Sequence, residues 1–327
     1  MLPVIRKLWP LGVENELRRR LELGKPLSRV VIPIALGLTR RVLLRAGATS
    51  EERRLAAVLT HYYQRVGRPG SDPATPVVLI HGIADSALTW AFTIGGMARI
   101  GPVYALDLPG FGQSGSPAGK RFASIAEQTA VVAAMLREVV GRPAILVGNS
   151  MGGWVAARLA LEAPELTRGI VLLDPGGALL EGRASWEPFV STVAVPDLRA
   201  VRAIYRQMFG RVPLPLYLAQ HSFQALFLRE SVREFVRASV EAADLDDITA
   251  SGFFAPADLR RISVPTTLIW GERDTFLPPG SFEFFRDNLP GAQIRVLKGC
   301  GHLPQREAPR AVVRLVSQFA ERVRHVK

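Results

Sequence analysis

Ala144-Ile145-Leu146-Val147-Gly148-Asn149-Ser150-Met151-Gly152-Gly153 is the stretch on which the reading of this chain turns. Four apolar residues run into a Gly-x-Ser-x-Gly turn, and an Ala-rich helical stretch continues to Ala163-Pro164. Glycine and serine are common, so the five-residue pattern carries little by itself. Its setting carries more. A sharp strand-to-helix turn needs very small residues two positions either side of the serine, because larger side chains would collide. The serine hydroxyl then stands above the strand ends, beside a helix N-terminus whose free N–H groups can hold an oxyanion.

Outward from this turn, short apolar runs recur at residues 77–80, 103–106, 144–147, 170–173, 266–270 and 294–297. Such near-continuous hydrophobicity suits parallel strands covered on both faces. Helical patterns lie between several of them. The clearest begins at Ser124, with Glu127 completing a capping box, and ends before Gly141. Its apolar face runs Ile125, Thr129, Val132, Leu136 and Val139, and residues 311–323 form a last amphipathic helix. The expected fold is therefore α/β, a doubly wound and mostly parallel sheet.

The alternation breaks over residues 176–260, which lack strand patterns and read as several helices, residues 231–243 among them. This is expected to be a helical cap inserted between two sheet strands. The expected division is residues 1–70 as a basic, helical N-terminal arm, 71–175 and 261–327 as the core, and 176–260 as the cap.

The formal charge is +12 over 327 residues, from 41 Lys+Arg against 29 Asp+Glu. Residues 1–70 hold 14 basic and 5 acidic residues, a net of +9; the other 257 residues are nearly balanced at +3. That distribution, with no recognisable nucleic-acid motif, argues against a nucleic-acid partner. Within the arm, Leu27, Val31, Ile34, Leu38 and Val42 recur at helical spacing among arginines, with a kink or break expected at Pro33. No apolar run reaches the 18–20 residues or so that span a bilayer. Two partners stay open for residues 1–45: an anionic membrane surface, or the protein's own domain or a second subunit. The lone cysteine, Cys300, excludes an intramolecular disulfide framework and a Cys-based zinc cluster, and fits a reducing compartment. The expected location is cytoplasmic, with peripheral contact at the inner face of the membrane.

A nucleophilic serine needs a base, and the base needs orienting. His302 follows the apolar run at 294–297, and Asp274 follows that at 266–270. Both then lie at strand carboxyl ends, on the same sheet edge as Ser150, in the chain order Ser, Asp, His. Asp174 is a competing acid, less favoured because Pro175 follows it. The oxyanion donors are expected to be the backbone N–H groups of Ile83, in the loop after residues 77–80, and Met151. His81 and the turn Asp107-Leu108-Pro109-Gly110-Phe111-Gly112 read as scaffold, and Cys300 as a small buried side chain. No His and carboxylate cluster has metal-ligand spacing, so neither metal nor other cofactor is expected.

His81-Gly82, Asp107-Leu108-Pro109-Gly110-Phe111-Gly112, Gly148-Asn149-Ser150-Met151-Gly152-Gly153, Trp270-Gly271-Glu272-Arg273-Asp274 and Gly301-His302 together resemble the α/β-hydrolase-fold serine hydrolases over residues 76–325. The resemblance implies an eight-stranded type of sheet, a cap over residues 176–260, a Ser150–His302–Asp274 triad, and a leading helix or hairpin of the core supplied by residues 50–66. Epoxide hydrolases and haloalkane dehalogenases of this fold carry aspartate where Ser150 stands, which disfavours those reactions. The loop His81-Gly82-Ile83-Ala84-Asp85-Ser86 is closest to carboxylesterases and monoacylglycerol-type lipases. The expected activity is carboxylic-ester hydrolysis through an acyl-enzyme, on lipophilic short-to-medium acyl esters or monoacylglycerols. Leu214, Leu216, Tyr217, Phe223, Phe227, Phe253 and Phe254 are the expected acyl pocket. Two alternatives stand beside it. The elbow and Pro175-Gly176-Gly177 also resemble carbon–carbon bond hydrolases of ring-cleavage dienones, and a ligand-binding receptor can occupy the same fold.

Overall fold

The computed structural model describes residues 25–120, 122–180, 185, 189, 193, 197–213, 223–224, 227, 232–234, 236 and 252–324. Helix α1 (Lys25–Arg45) leads into a hairpin of β1 (Ala48–Leu55) and β2 (Val58–Arg65). Alternation follows: β3 (Val77–Ile80), β4 (Val103–Leu106), α2 (Ile125–Met135), β5 (Ala144–Asn149), α3 (Met151–Glu162) and β6 (Thr167–Leu173). Then come α4 (Leu198–Met208), β7 (Thr266–Gly271), β8 (Gln293–Leu297) and α5 (Pro309–Val323), with shorter helical turns between.

The strands form one eight-stranded sheet in the order β1-β2-β4-β3-β5-β6-β7-β8. The first two are antiparallel to their neighbours and all other pairings are parallel. From β3 the chain steps one way to β4, then returns past it to β5 on the other side. That reversal opens a crevice at the carboxyl ends of β3 and β5, where His81-Gly82 and Ser150 emerge.

The unbroken apolar runs are explained by two cores. Val78, Ile80, Leu146 and Leu172 face one side, with α2 and α3; Val77, Leu79, Ile145, Val147 and Val171 face the other, with Trp90, Ile94 and α5. With both faces dry, no position in β3 or β5 is left for a polar surface residue. The Ser124–Glu127 capping box is formed reciprocally at the start of α2. Gly141, at φ 70°, ends the helical turn that follows α2.

Three expectations are corrected. Residues 1–70 are not a helical arm throughout: residues 48–65 are strand, and β2 joins the main sheet beside β4. Their turn is the dipeptide Ala56-Ala57, both at positive φ (44° and 68°), which is the handedness a tight two-residue hairpin requires. Helix α1 runs unbroken through Pro33, which removes one backbone donor without ending the helix. Strand β8 is an edge strand with mostly exposed or half-exposed residues, Val296 among them, because only β7 pairs with it. Across the 176–260 segment, α4 is helical, as are residues 232–234 and 236; the rest of 231–243 lies outside the described residues. A parallel bridge between Ala178 and Phe254 draws the segment's two ends together.

An L-residue in the left-handed region costs about 1–2 kcal/mol, partly offset in glycine by its extra unfolded-state freedom. Ala57→Gly should therefore stabilise the protein by about 0.5–1 kcal/mol. Urea unfolding should show a higher midpoint at unchanged m.

Candidate active site

Ser150 is the first residue after β5 and the N-cap of α3, at φ 55°, ψ −120°. This is a strained conformation for a side-chain-bearing residue, and the surroundings impose it. A Cβ on Gly148 would strike the Gly152 backbone, and one on Gly152 would strike the Ile80 carbonyl. The glycines thus let the turn fold back on itself and against β3. The Ser150 N–H donates to the Leu173 carbonyl at 3.0 Å, and the Ser150 carbonyl accepts from Gly176 at 3.0 Å, pinning the elbow to β6.

His302 is brought to this edge by the loop after β8. Its N–H donates to the Met208 carbonyl at 2.7 Å, and its ring lies 4.8 Å from that of Phe276. Nδ1 is hydrogen-bonded to Asp274 Oδ2 at 2.7 Å, with both side chains almost wholly buried. Asp274 Oδ1 accepts the Phe276 N–H at 2.9 Å. An ionised carboxylate accepts only, so Nδ1 carries the hydrogen and Nε2 is left as the free basic nitrogen. That Nε2 is buried with no protein partner.

Ser150 and His302 line one cavity of about 80 Å³, with Gly82, Ile83, Met208, Phe209, Phe276 and Leu303. Among the described residues, neither the Ile83 nor the Met151 N–H has an acceptor. Of the expected pocket residues, Phe223 and Phe227 also line this cavity. Phe253 and Phe254 do not. They are buried at the base of the 176–260 segment, Phe253 tilted against Trp154 with ring centroids 4.6 Å apart and Phe254 under the Arg158 guanidinium. Leu214, Leu216 and Tyr217 lie outside the described residues. His81 serves the scaffold as expected: it accepts the Leu108 N–H at Nε2 and contacts the Gly82 carbonyl through Nδ1.

A hydrogen-bonded Ser–His–Asp chain exists elsewhere. Ser50 Oγ meets His61 Nε2 at 2.8 Å, and His61 Nδ1 meets Asp107 Oδ2 at 2.8 Å. None of these residues lines the Ser150 cavity. Asp107 also accepts the N–H groups of Ala87 and Gln113. Burial raises its carboxyl pKa, but His61 and these donors outweigh that and hold it below the usual range. The chain fastens β1 and β2 to the loop after β4, which is structural work.

The model of the "Alpha/beta hydrolase family" matches residues 77–315. The chain belongs to the alpha/beta hydrolase family. It is 25% identical to "Lipase 1" of Psychrobacter immobilis over 244 residues, 73% of this chain and 74% of that one. Two solved structures share the fold. One is a membrane phospholipase A described as a bacterial virulence factor (TM-score 0.72, 23% identity, 98% of this chain and 100% of that chain). The other is a meta-cleavage product hydrolase of Pseudomonas fluorescens (TM-score 0.63, 22% identity, 83% of this chain and 97% of that chain).

In this alpha/beta hydrolase, two supports escaped the sequence reading, Asn149 and Glu307, and the competing acid Asp174 takes a place beside them. Asn149 Nδ2 donates to the carbonyls of Leu173 and His302, and its Oδ1 accepts from Gln305, so the elbow itself holds the histidine loop. Glu307 accepts the N–H groups of Gly210 and Gly301, bracing that loop against α4. Asp174 lies close to both Asp274 and His302, with one ligand atom of each within 4.8 Å of the others, although sequence spacing gave no sign of such a cluster. The position of Asn149 beside the serine was the available signal.

Since a 1 Å misplacement of a catalytic group can cost about 10²-fold, Asn149→Ala should lower kcat of the hydrolase about 10²-fold. KM should stay near wild type, because Asn149 holds His302 by its backbone. Steady-state kinetics on a soluble ester checks this.

Proposed function

We propose that the protein is a carboxylic-ester hydrolase working through a Ser150 acyl-enzyme. The observation that carries the reading is His302, held by Asp274 at Nδ1, without a partner at Nε2 among the described residues, and lining the same cavity as Ser150. Ser150 Oγ attacks the ester carbonyl carbon while its proton passes to His302 Nε2. The tetrahedral oxyanion is met by the Ile83 and Met151 N–H groups, each such donor contributing about 10²–10³ in rate. Asp274 holds the tautomer and stabilises the imidazolium. Collapse expels the alkoxide, which takes the proton from Nε2; water then repeats the cycle on the acyl-enzyme and frees Ser150.

The apolar lining, with Phe209, Phe223, Phe227, Phe276 and Leu303, suits a lipophilic short-to-medium acyl chain or a monoacylglycerol. The names lipase and phospholipase A among the similar proteins point the same way. A fluorophosphonate probe should label the wild type and leave Ser150→Ala unlabelled. The same variant should lose at least about 10³-fold in turnover of p-nitrophenyl esters. Full turnover by the variant rejects the triad. Bleaching of a ring-cleavage dienone without ester turnover assigns carbon–carbon bond hydrolysis instead, and tight binding without turnover assigns a receptor.

We also propose that α1 docks on an anionic membrane surface. No described helix is long and apolar enough to cross a membrane. Leu43 is buried against the body of the protein, while Ile34, Leu36 and Leu38 are 55%, 48% and 53% exposed. Ile34, Leu38 and Val42 form an outward stripe beside Arg41 and Arg45. The helix contains no acidic residue, so a second copy laid against it would bring arginine to arginine. Anionic headgroups meet that charge, at about 1 kcal/mol per arginine near the surface. Cosedimentation with phosphatidylglycerol vesicles should fall for Leu38→Asp and for Arg41→Glu/Arg45→Glu, with soluble-ester turnover retained. Unchanged cosedimentation of both variants sinks the membrane reading.

A further inference from the structure

Asp174 takes no part in the acyl transfer outlined above, yet it stands directly behind it. It follows β6 at φ 42°, a strained conformation for an aspartate, and its side chain is fully buried. Oδ1 accepts the Gly271 N–H at 2.8 Å, which ties the end of β6 to the end of β7. As an ionised carboxylate, its Oδ2 would be buried with no donor to accept from. The groups facing it are Asp274, His302, Glu307 and the Cys300 thiol, and among the described residues no lysine or arginine is hydrogen-bonded to it. The nearby guanidiniums are engaged elsewhere: Arg273 on the Gly210 carbonyl, Arg306 on Asp85 and Thr89.

Two adjoining buried carboxylates with no cation between them cannot both be ionised. The donors decide which one keeps the proton. Asp274 receives two, the Phe276 N–H and His302 Nδ1–H, whereas Asp174 receives only the Gly271 N–H. A hydrogen on Asp174 Oδ2 converts its stranded acceptor into a donor, with Asp274 in the same cluster as the acceptor, one carboxylate oxygen of each lying within 4.8 Å of the other. Burial first, and the Asp274 charge second, push the Asp174 carboxyl well above the ordinary carboxylate range.

We propose that Asp174 is a positioning residue that stays protonated through the working pH range and donates its O–H to the Asp274 carboxylate. The triad then ends in an acid–carboxylate pair. This fixes the Asp274 rotamer against His302 and draws off part of its charge, so the proton between them stays on Nδ1. The inference rests on the Ser150–His302–Asp274 reading, but its first test does not.

That test is infrared difference spectroscopy of wild type against Asp174→Asn at about pH 8, far above the ordinary aspartate pKa. Wild type should show a protonated-carboxyl C=O band that is missing from Asp174→Asn and retained in Glu307→Gln, which removes the other acid raised by burial. Absence of the band from wild type, or its loss only in Glu307→Gln, overturns the proposal whether or not the protein turns over an ester. If Asp174→Asn does not fold, the wild-type and Glu307→Gln spectra decide alone.

The pH profile of ester turnover supplies the second readout. Asn keeps a donor for Asp274 and an acceptor for Gly271, so Asp174→Asn should hold kcat/KM within about threefold and leave the acid limb unmoved. Asp174→Ala loses the donor, and should lower kcat at least about tenfold with KM little changed and the acid limb moved upward. Were Asp174 ionised in the wild type, Asp174→Asn would remove a negative charge beside the dyad and move the limb down by about one unit or more. That shift, an Asp174→Ala variant indistinguishable from wild type, or loss of turnover on chelation of divalent cations overturns the proposal. Loss of all turnover in wild type, with the infrared band present, instead counts against the hydrolase reading alone.

Discussion

The backbone of Ser150 is the constraint from which the rest follows. A non-glycine residue at φ 55° costs of order 1–3 kcal/mol and persists only where its neighbours over-determine it. Here β5 delivers the chain at the sheet's reversal point, α3 departs at once, and Gly148 and Gly152 permit the closeness. The Ser150 peptide is then fastened to β6 through Leu173 and Gly176. Asn149 extends the same unit to the histidine loop, 153 residues further along the chain. A single strained turn thus sets the position of Ser150, of the Met151 N–H and, through one amide side chain, of the His302 loop. Because the strain is local while its supports come from three strands, loosening any of them moves chemistry as well as stability.

Legibility in the sequence followed this hierarchy. Features that rest on a few adjacent residues could be read directly: the elbow, the capping box at Ser124, the strand-end loops carrying Asp274 and His302. The sheet was readable because both its faces are buried, which writes an unbroken apolar run into each central strand. Features that tertiary context decides were not. The β1–β2 hairpin turns on Ala56-Ala57, where local chemistry would ask for asparagine and glycine, so the sequence left residues 50–66 open between a helix and a hairpin. Strand β8 was read with the central strands, but Arg295 interrupts its apolar residues and the strand sits at the edge. Phe253 and Phe254 are as apolar as Phe223 and Phe227; only the fold distinguishes the neck of the inserted segment from the cavity. Asp174 was visible as a strand-end acid, yet its meaning depends on an oxygen left without a donor, and no spacing rule encodes that.

Charge is distributed in the opposite sense to first appearance. A chain with +12 overall surrounds the buried Asp174–Asp274 pair with Glu307 and a thiol, while its basic excess lies in the first 70 residues. In a buried site, charge is regulated by desolvation and protons rather than by counter-ions, because a nearby fixed cation would hold both acids ionised and change what His302 experiences. At the surface the arithmetic reverses: solvent screens each arginine, and only several of them along one helix attract a partner. The apolar residues of α1 fit this division. Arginines alone would bring the helix to any polyanion, and exposed leucine and isoleucine alone would suit any greasy face. Together, on one helix without an acidic residue, they form the combination that the proposed membrane docking requires, a partner anionic at its edge and apolar beneath.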